Sequence, residues 1–473
     1  MPSSNLSCPR LLVAGLGGGS GKTIVSLGLA RALVEQGLSV QTFKKGPDYI
    51  DAKWLSLASR GGATNLDPFL FSPEVLRNVF WSRALGKDLA LIEGNRGLYD
   101  GKDIQGTYSS AELAKTLHCP VVVVADCTKV TRTMAAIVLG LKAFDPDVDI
   151  RGVILNRTAG GRHQNILRQS IEKYTDVPVL GILPKLAVNP IPERQMGLVS
   201  DMELEMDPFG EIASRIREHV DVAACLEVSR SAPAVAGEIA PLFPSVSSAS
   251  PVRIGVARDA ALWFYYQENL DALRHAGAEL VEFSLLADEA VPDVHALYMG
   301  GGFPETMARE LSANLSMRRS VAACVQEGMP VYAECGGLMY LGRSLCVGEK
   351  SYPMSGVFAL DVQISKRPQG HGYMRAVVSA SNPFYPPSTP LSGHEFHYSR
   401  CFDPERADSP VFQVQLGQGV GAGGDGMLVR NCLASYMYIH ALGTPDWAVR
   451  FADAARIFSR CRERGNPCPD IRL

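Results

Sequence analysis

An apolar run, Leu11–Ala14, leads into Gly15-Leu16-Gly17-Gly18-Gly19-Ser20-Gly21-Lys22-Thr23 and then into Thr23–Gln36, where Ile24, Leu27, Leu29, Ala30 and Leu33 share most of one helical face. Strand, glycine loop and helix in that order admit few folds. The loop's N–H groups and the helix N-terminus together form a phosphate cradle at the carboxyl edge of a parallel sheet. Gly15, Gly19 and Gly21 allow the backbone's close approach, Lys22 reaches toward terminal phosphates, and the Thr23 hydroxyl is placed to ligate Mg2+. The strict spacing would put its first glycine at residue 16. Leu16 stands there, with Gly15 and Gly17 on either side.

The alternation continues along the chain. Val40–Phe43, Leu89–Ile92, Val121–Ala125, Gly152–Leu155 and Val179–Leu183 read as further strands of the first half. Arg253–Ala257, Glu279–Phe283, Ala296–Met299 and Val331–Ala333 read as strands of the second, joined by helical patterns at Glu268–Ala276 and Leu315–Glu327. This pattern predicts an α/β protein of two domains, the first a doubly wound, mostly parallel sheet. From Cys225 to Pro251 charges thin out and Ser, Ala, Pro and Val dominate. A linker is therefore expected over 225–251, between domains at 1–224 and 252–473, with a last helix at Asp446–Arg464.

Composition narrows the function classes. Lys plus Arg is 46 and Asp plus Glu 49, and the resulting net charge of −3 lacks the basic excess of a protein that coats nucleic acid. No stretch reaches the ~18 apolar residues of a membrane span. The eleven cysteines show no repeating spacing, which fits reduced thiols. A cytoplasmic protein without nucleic-acid or membrane partners is expected.

Two further loops of the first half follow strands and should converge on the phosphates: Phe43-Lys44-Lys45-Gly46-Pro47-Asp48-Tyr49-Ile50-Asp51 and Ile92-Glu93-Gly94-Asn95-Arg96-Gly97-Leu98-Tyr99-Asp100-Gly101. Glu93, directly after an apolar strand, is a natural Mg2+ ligand or water-holder, and Asp48 is placed for a second such role. Asp100 is read as a substrate contact with Tyr99, against the alternative that Asp100-Gly101 is simply a turn. Arg96 offers a guanidinium that can grip a substrate carboxylate.

In the second half, Val331-Tyr-Ala-Glu-Cys335-Gly-Gly-Leu runs a strand into a cysteine flanked by small residues. This is a nucleophile elbow, where a sharp turn exposes the side chain and sets backbone N–H groups, Gly336 among them, beside it. Tyr298-Met-Gly300-Gly301-Gly302-Phe-Pro-Glu305 ends another strand with glycines, Gly301 and Gly302, suited to an oxyanion hole. His440, closing the run Ala434–His440, is the candidate base. His394 and His397 compete for that role; they lack a third ligand for a metal, and local hydrogen bonding or substrate contact is favoured for them.

These segments carry a resemblance. The first half resembles the dethiobiotin-synthetase-like P-loop enzymes and the second the cobyrinate-type class I glutamine amidotransferase domain. In this order they resemble the cobyrinate a,c-diamide synthase family through Gly15–Thr23, Lys44–Asp51, Asn65–Pro68, Glu93–Gly101, Ala333–Leu338, Gly393–Ser399 and Ala434–His440. The resemblance implies ATP- and Mg2+-dependent amidation of the a- and c-carboxylates of a tetrapyrrole-derived macrocycle, with glutamine as nitrogen donor and an acyl phosphate as intermediate. Lys22 and Lys44 would neutralise charge in phosphoryl transfer, and Cys335 would form a thioester with His440 as proton shuttle. The chain departs from the family at Tyr438, where a histidine is usual, at Gln195, and at Asn95-Arg96. No carboxylate follows two residues after His440, so His440 is expected to act as half of a dyad. Sirohydrochlorin, its nickel complex and sirohaem remain open as alternative macrocycles, and a P-loop ATPase switch is the remote alternative. A homodimer is left open.

Overall fold

The computed structural model describes residues 4–185, 193–194, 197–198, 207–243, 250–402 and 410–473. The expectation at Gln195 lies outside them. The chain divides into two compact units, Met1–Leu242 and Phe243–Leu473.

The first unit is built on a seven-stranded sheet. From one edge its strands are Ala63–Leu66, Val40–Lys45, Leu89–Glu93, Arg10–Gly15, Val121–Asp126, Ile150–Thr158 and Val179–Pro184. Every pairing is parallel. Helices cover parallel sheets on both faces, so the strands read as continuous apolar runs; Val121–Ala125 is buried throughout. From Arg10–Gly15 the chain first builds outward to Ala63–Leu66, then returns to build the other side. The strand order thus reverses around Arg10–Gly15, and the loop after it opens at the switch point where α/β sheets bind ligands. The helix Lys22–Glu35 follows, packed between Tyr49–Ser59 and Phe209–His219. Burial on several sides explains why its apolar residues spread beyond one face.

The expected linker is corrected. Val222–Arg230 is a helix whose Cys225 is buried, and Val235–Gly237 pairs antiparallel with Ser4–Leu6. The buried Arg10 guanidinium donates to the carbonyls of Leu117, His118 and Pro233, at 2.8, 3.0 and 2.6 Å, and lies over the Trp81 ring. Asn78 exchanges two hydrogen bonds with Ala240. Residues 231–242 therefore belong to the first unit, which extends to Leu242.

The second unit has a six-stranded sheet ordered Ala278–Phe283, Val252–Ala257, Ala296–Met299, Val331–Glu334, Cys432–Ser435 and Met427–Val429; only the last runs antiparallel. Trp447 and Phe451 of the last helix, Trp447–Glu463, pack their rings against Tyr298 and Tyr332. Two smaller sheets, mostly antiparallel and made largely from residues 344–425, were not foreseen. One of them brings Pro390–His397 beside Tyr438–Ile439, pairing His394 with Tyr438. All eleven cysteines are free thiols. Among the described residues no helix is long and apolar enough to cross a membrane.

Candidate active sites

In the first unit the loops after Arg10–Gly15 and Leu89–Glu93 are tied together, Gly94 N–H donating to Val13 O and Leu98 N–H to Gly15 O. Gly21 adopts φ 94°, and a Cβ there would fall 2.1 Å from Nδ2 of Asn156, which donates to Ser20 O. Glycine is thus required by both conformation and space. Lys22 Nζ donates to Gly17 O at 3.1 Å, and a Cβ at Gly15 would sit 3.1 Å from that same Nζ. Gly19 is also left-handed, at φ 73°.

Below the loop lies a buried charge cluster. Glu93 Oε1 accepts from Thr23 Oγ1 at 2.7 Å and from Lys44 Nζ at 2.8 Å. Lys44 Nζ also donates to Asp51 Oδ2 at 2.6 Å. Burial alone would pull the Lys44 ammonium down, but Asp51 and Glu93 reverse this and hold it well above the ordinary lysine range. Burial pulls the less strongly compensated Lys22 down, and the Lys44 charge adds to the effect. Glu93 is wholly buried, its carboxyl is pushed up by burial, and Oε2 has no hydrogen-bond partner among the described residues. Asp51, given no role from sequence, is part of this cluster. The available signal was its place three residues after Asp48 in the first turn of a helix.

The other expected residues of this unit take clear local positions. Asp48 caps the helix Tyr49–Ser59, Oδ1 accepting from Ile50 N and Asp51 N at 2.8 and 3.0 Å; burial and Asp51 raise its carboxyl. Asp100 Oδ2 accepts from Gly97 N at 2.8 Å. Tyr99, expected at the substrate, donates its hydroxyl to Leu141 O at 2.6 Å and packs on Phe144. Arg96 is exposed with a left-handed backbone, φ 51°.

In the second unit Cys335 joins Val331–Glu334 to the helix Gly336–Leu341 with φ 44° and ψ −93°. A side-chain-bearing residue in this region is strained, as an elbow requires. Its N–H donates to Ser435 O at 2.7 Å, and Gly337 N–H donates to Gly300 O. A Cβ at Gly336 would stand 3.0 Å from Gly302 N, so the two glycine segments meet beside the cysteine. The Tyr438 hydroxyl lies beside the Cys335 sulfur, and a Cβ at Gly301 would collide with it at 1.9 Å. Burial pushes the thiol up and Tyr438 partly opposes this. Behind Tyr438, the His394 ring stacks at 4.9 Å; burial pushes that imidazole down to about 3, keeping it neutral.

His440, expected as the base for Cys335, lies in the same unit and has a carboxylate close to it. His440 is wholly buried, Nδ1 accepts from Leu442 N at 3.2 Å, and Nε2 stands 3.6 Å from Glu268 Oε2. Glu268, from the helix Gln267–His275, is thus the carboxylate beside His440 in the fold. His397 is a local group: Nδ1 faces Ser399 O, Nε2 faces Glu395, and its ring stacks on Tyr436.

Comparison with known proteins follows the same division. Residues 11–199 match the CobQ/CobB/MinD/ParA nucleotide binding domain, and residues 253–445 match the CobB/CobQ-like glutamine amidotransferase domain. These matches and the fold make the chain a glutamine-dependent amide ligase. The chain is 41% identical to the cobyrinate a,c-diamide synthase of Magnetococcus marinus over 448 residues, 93% of this chain and 96% of that one. It is 42% identical to that of Archaeoglobus fulgidus, over 95% and 98%, and 40% identical to that of Listeria innocua, over 92% and 97%. The chain belongs to the cobyrinate a,c-diamide synthase family.

Proposed function

We propose that this enzyme converts the a- and c-carboxylates of cobyrinate to amides, consuming ATP and taking ammonia from glutamine. The observation that carries the chemistry is Glu93, a buried carboxylate bridging Thr23 and Lys44 at the foot of the phosphate loop with one oxygen left bare. The relatives' common name supports the choice of macrocycle.

A carboxylate is a poor acyl donor because its leaving group would be oxide. Transfer of the γ-phosphoryl group to the substrate carboxylate gives an acyl phosphate and ADP; ammonia then attacks the acyl carbon and phosphate leaves. Charge spreads over the phosphoryl oxygens in the first step, and Lys22 and Lys44 are the cations placed to offset it. Lys44 stays protonated because Asp51 and Glu93 hold it so. Asp48, by fixing the first turn of its helix, positions Asp51.

Mg2+ fits this unit. Glu93 Oε2 and Thr23 Oγ1 would hold it, with Asp48 nearby. Mg2+ ordinarily keeps several waters and phosphate oxygens as ligands, so two protein oxygens are enough to seat it. When bound, it supplies positive charge to the phosphates.

In the second unit Cys335 attacks the glutamine amide, releasing ammonia and leaving a thioester that water converts to glutamate. The Gly301–Gly302 segment and Gly336 are the source of N–H groups for the oxyanion. Tyr438 gives the first hydrogen bond to the thiolate, and His440, paired with Glu268, carries the proton onward. Amidation assays with cobyrinate and sirohydrochlorin side by side test the substrate. Two new amides on cobyrinate support the reading, and amidation of sirohydrochlorin alone would replace the macrocycle.

A further inference from the structure

Lys45 ends the strand Val40–Lys45, in register with Leu66. Its side chain is 5% exposed, and its ammonium makes no hydrogen bond or ion pair among the described residues. Side chains alternate across a strand, so Lys44 enters the Glu93 cluster while Lys45 projects from the opposite face, that of Phe43, whose ring packs on Phe80. The charges that act on Lys45 are Asp67, which favours its ammonium, and Lys44 and Arg96, which oppose it. Asp67 is itself buried, its Oδ1 accepting from Phe69 N and Leu70 N. Asp67 offsets part of the cost of taking this ammonium out of water, and the two neighbouring cations add to that cost.

Arg96 reaches the same place from the next strand. The loops after Val40–Lys45 and Leu89–Glu93 touch: at Gly46, φ 91°, a Cβ would lie 3.3 Å from Asn95 Nδ2. Asn65 Nδ2 pins the first loop by donating to Gly46 O and Asp48 O at 2.8 and 2.9 Å. The guanidinium of Arg96, exposed on its left-handed residue, also has no hydrogen bond or ion pair among the described residues. Two cations without a hydrogen-bonded partner among the described residues, one compact and buried, one planar and exposed, thus flank the loop contact at the carboxyl edge of the sheet.

We propose that Lys45 and Arg96 together bind a carboxylate of the macrocycle other than the one being activated. The inference rests on the polycarboxylate substrate proposed above. A macrocycle bearing many similar carboxylates must be held in register for only two of them to reach Lys44 and Glu93. A second carboxylate gripped across the strand supplies that register, Arg96 bidentately and Lys45 as a point charge. A nucleotide phosphate is the competing anion.

The test uses the full chain with Lys45→Met and Arg96→Gln. Cobyrinate binding is titrated by its absorbance without ATP or glutamine, and KM for ATP is measured separately. Each substitution is expected to weaken cobyrinate binding by about tenfold or more, with KM for ATP moving less than about twofold. Amides at carboxylates other than the wild type's pair should appear among the products. Unchanged cobyrinate binding in both variants overturns the inference, as does a rise confined to KM for ATP, which would make the bound anion a phosphate. Wild-type protein that binds no cobyrinate overturns the substrate reading and this inference with it. If Lys45→Met fails to fold by thermal unfolding, the exposed Arg96→Gln decides alone.

Discussion

Glu93 collects two hydrogen bonds on one oxygen, and the bare second oxygen points to a ligand the protein does not itself supply. Glu93→Gln preserves the shape but removes the charge, and amidation should fall by roughly 10²–10³-fold. Steady-state assay checks this, with thermal unfolding as the folding control. A loss below tenfold would remove Glu93 from the chemistry. Beside Cys335, the buried Glu334 makes a different prediction. Its Oε1 accepts from Ile439 N, its Oε2 from the Tyr298 hydroxyl, and burial pushes its carboxyl up to about 8. An unfolded glutamate ionises in the ordinary carboxylate range, so between there and about pH 8 the folded state holds one more proton. Stability therefore falls as pH rises through that window and levels off above it. Glu334→Gln mimics the protonated acid and should flatten the decline, read as urea midpoints across the same window. Identical slopes in the two proteins would mean that Glu334 is ionised in the fold.

At the scale of elements, the loops that carry chemistry are held open by absent side chains. Gly21→Ala would place a methyl into Asn156 and strain a left-handed backbone; nucleotide affinity should drop by at least about tenfold. Adding Asn156→Ala should recover part of that loss by making room, while the backbone cost stays. Full recovery would assign the effect to crowding alone. The same elements show what was legible beforehand. The central parallel strands announced themselves because both faces are buried, as in Val121–Ala125. Ala63–Leu66, at the sheet edge with Thr64 and Asn65 inside it, gave no such run. The antiparallel sheets between residues 344 and 425 were illegible for a related reason, their alternating exposure leaving short, mixed strands. Lys22, Thr23, Lys44 and Glu93 could be named because each stands at a strand end or at the start of the helix after the glycine loop, where spacing carries meaning. Glu268 could not be joined to His440, since only the tertiary fold brings its helix there. The place of Tyr438 beside Cys335 likewise depends on strand pairing, through which His394 lies opposite it.

For the whole molecule, each unit carries its own core and its own site. Lys22→Ala should abolish ATP-dependent amidation yet leave glutamine hydrolysis measurable. Cys335→Ser should do the reverse, losing hydrolysis and glutamine-driven amidation but amidating when ammonium salt at high pH supplies free ammonia. Loss of ammonia-driven amidation in Cys335→Ser would place the thiol in the ligase reaction itself. The docking of residues 231–242 on the first unit shows why composition misplaced the boundary. Arg10, far away in sequence, holds Pro233, and an apolar stretch with a single charge, Glu238, serves as well for pairing with a terminal strand as for linking domains. The most direct measurement incubates the purified protein with Mg-ATP, glutamine and cobyrinate and reads the products by mass spectrometry. Two carboxylates converted to amides, with matching release of ADP and glutamate, is the predicted result. Cobyrinate recovered unchanged while ATP and glutamine are consumed, or amidation of sirohydrochlorin alone, would contradict the proposed substrate.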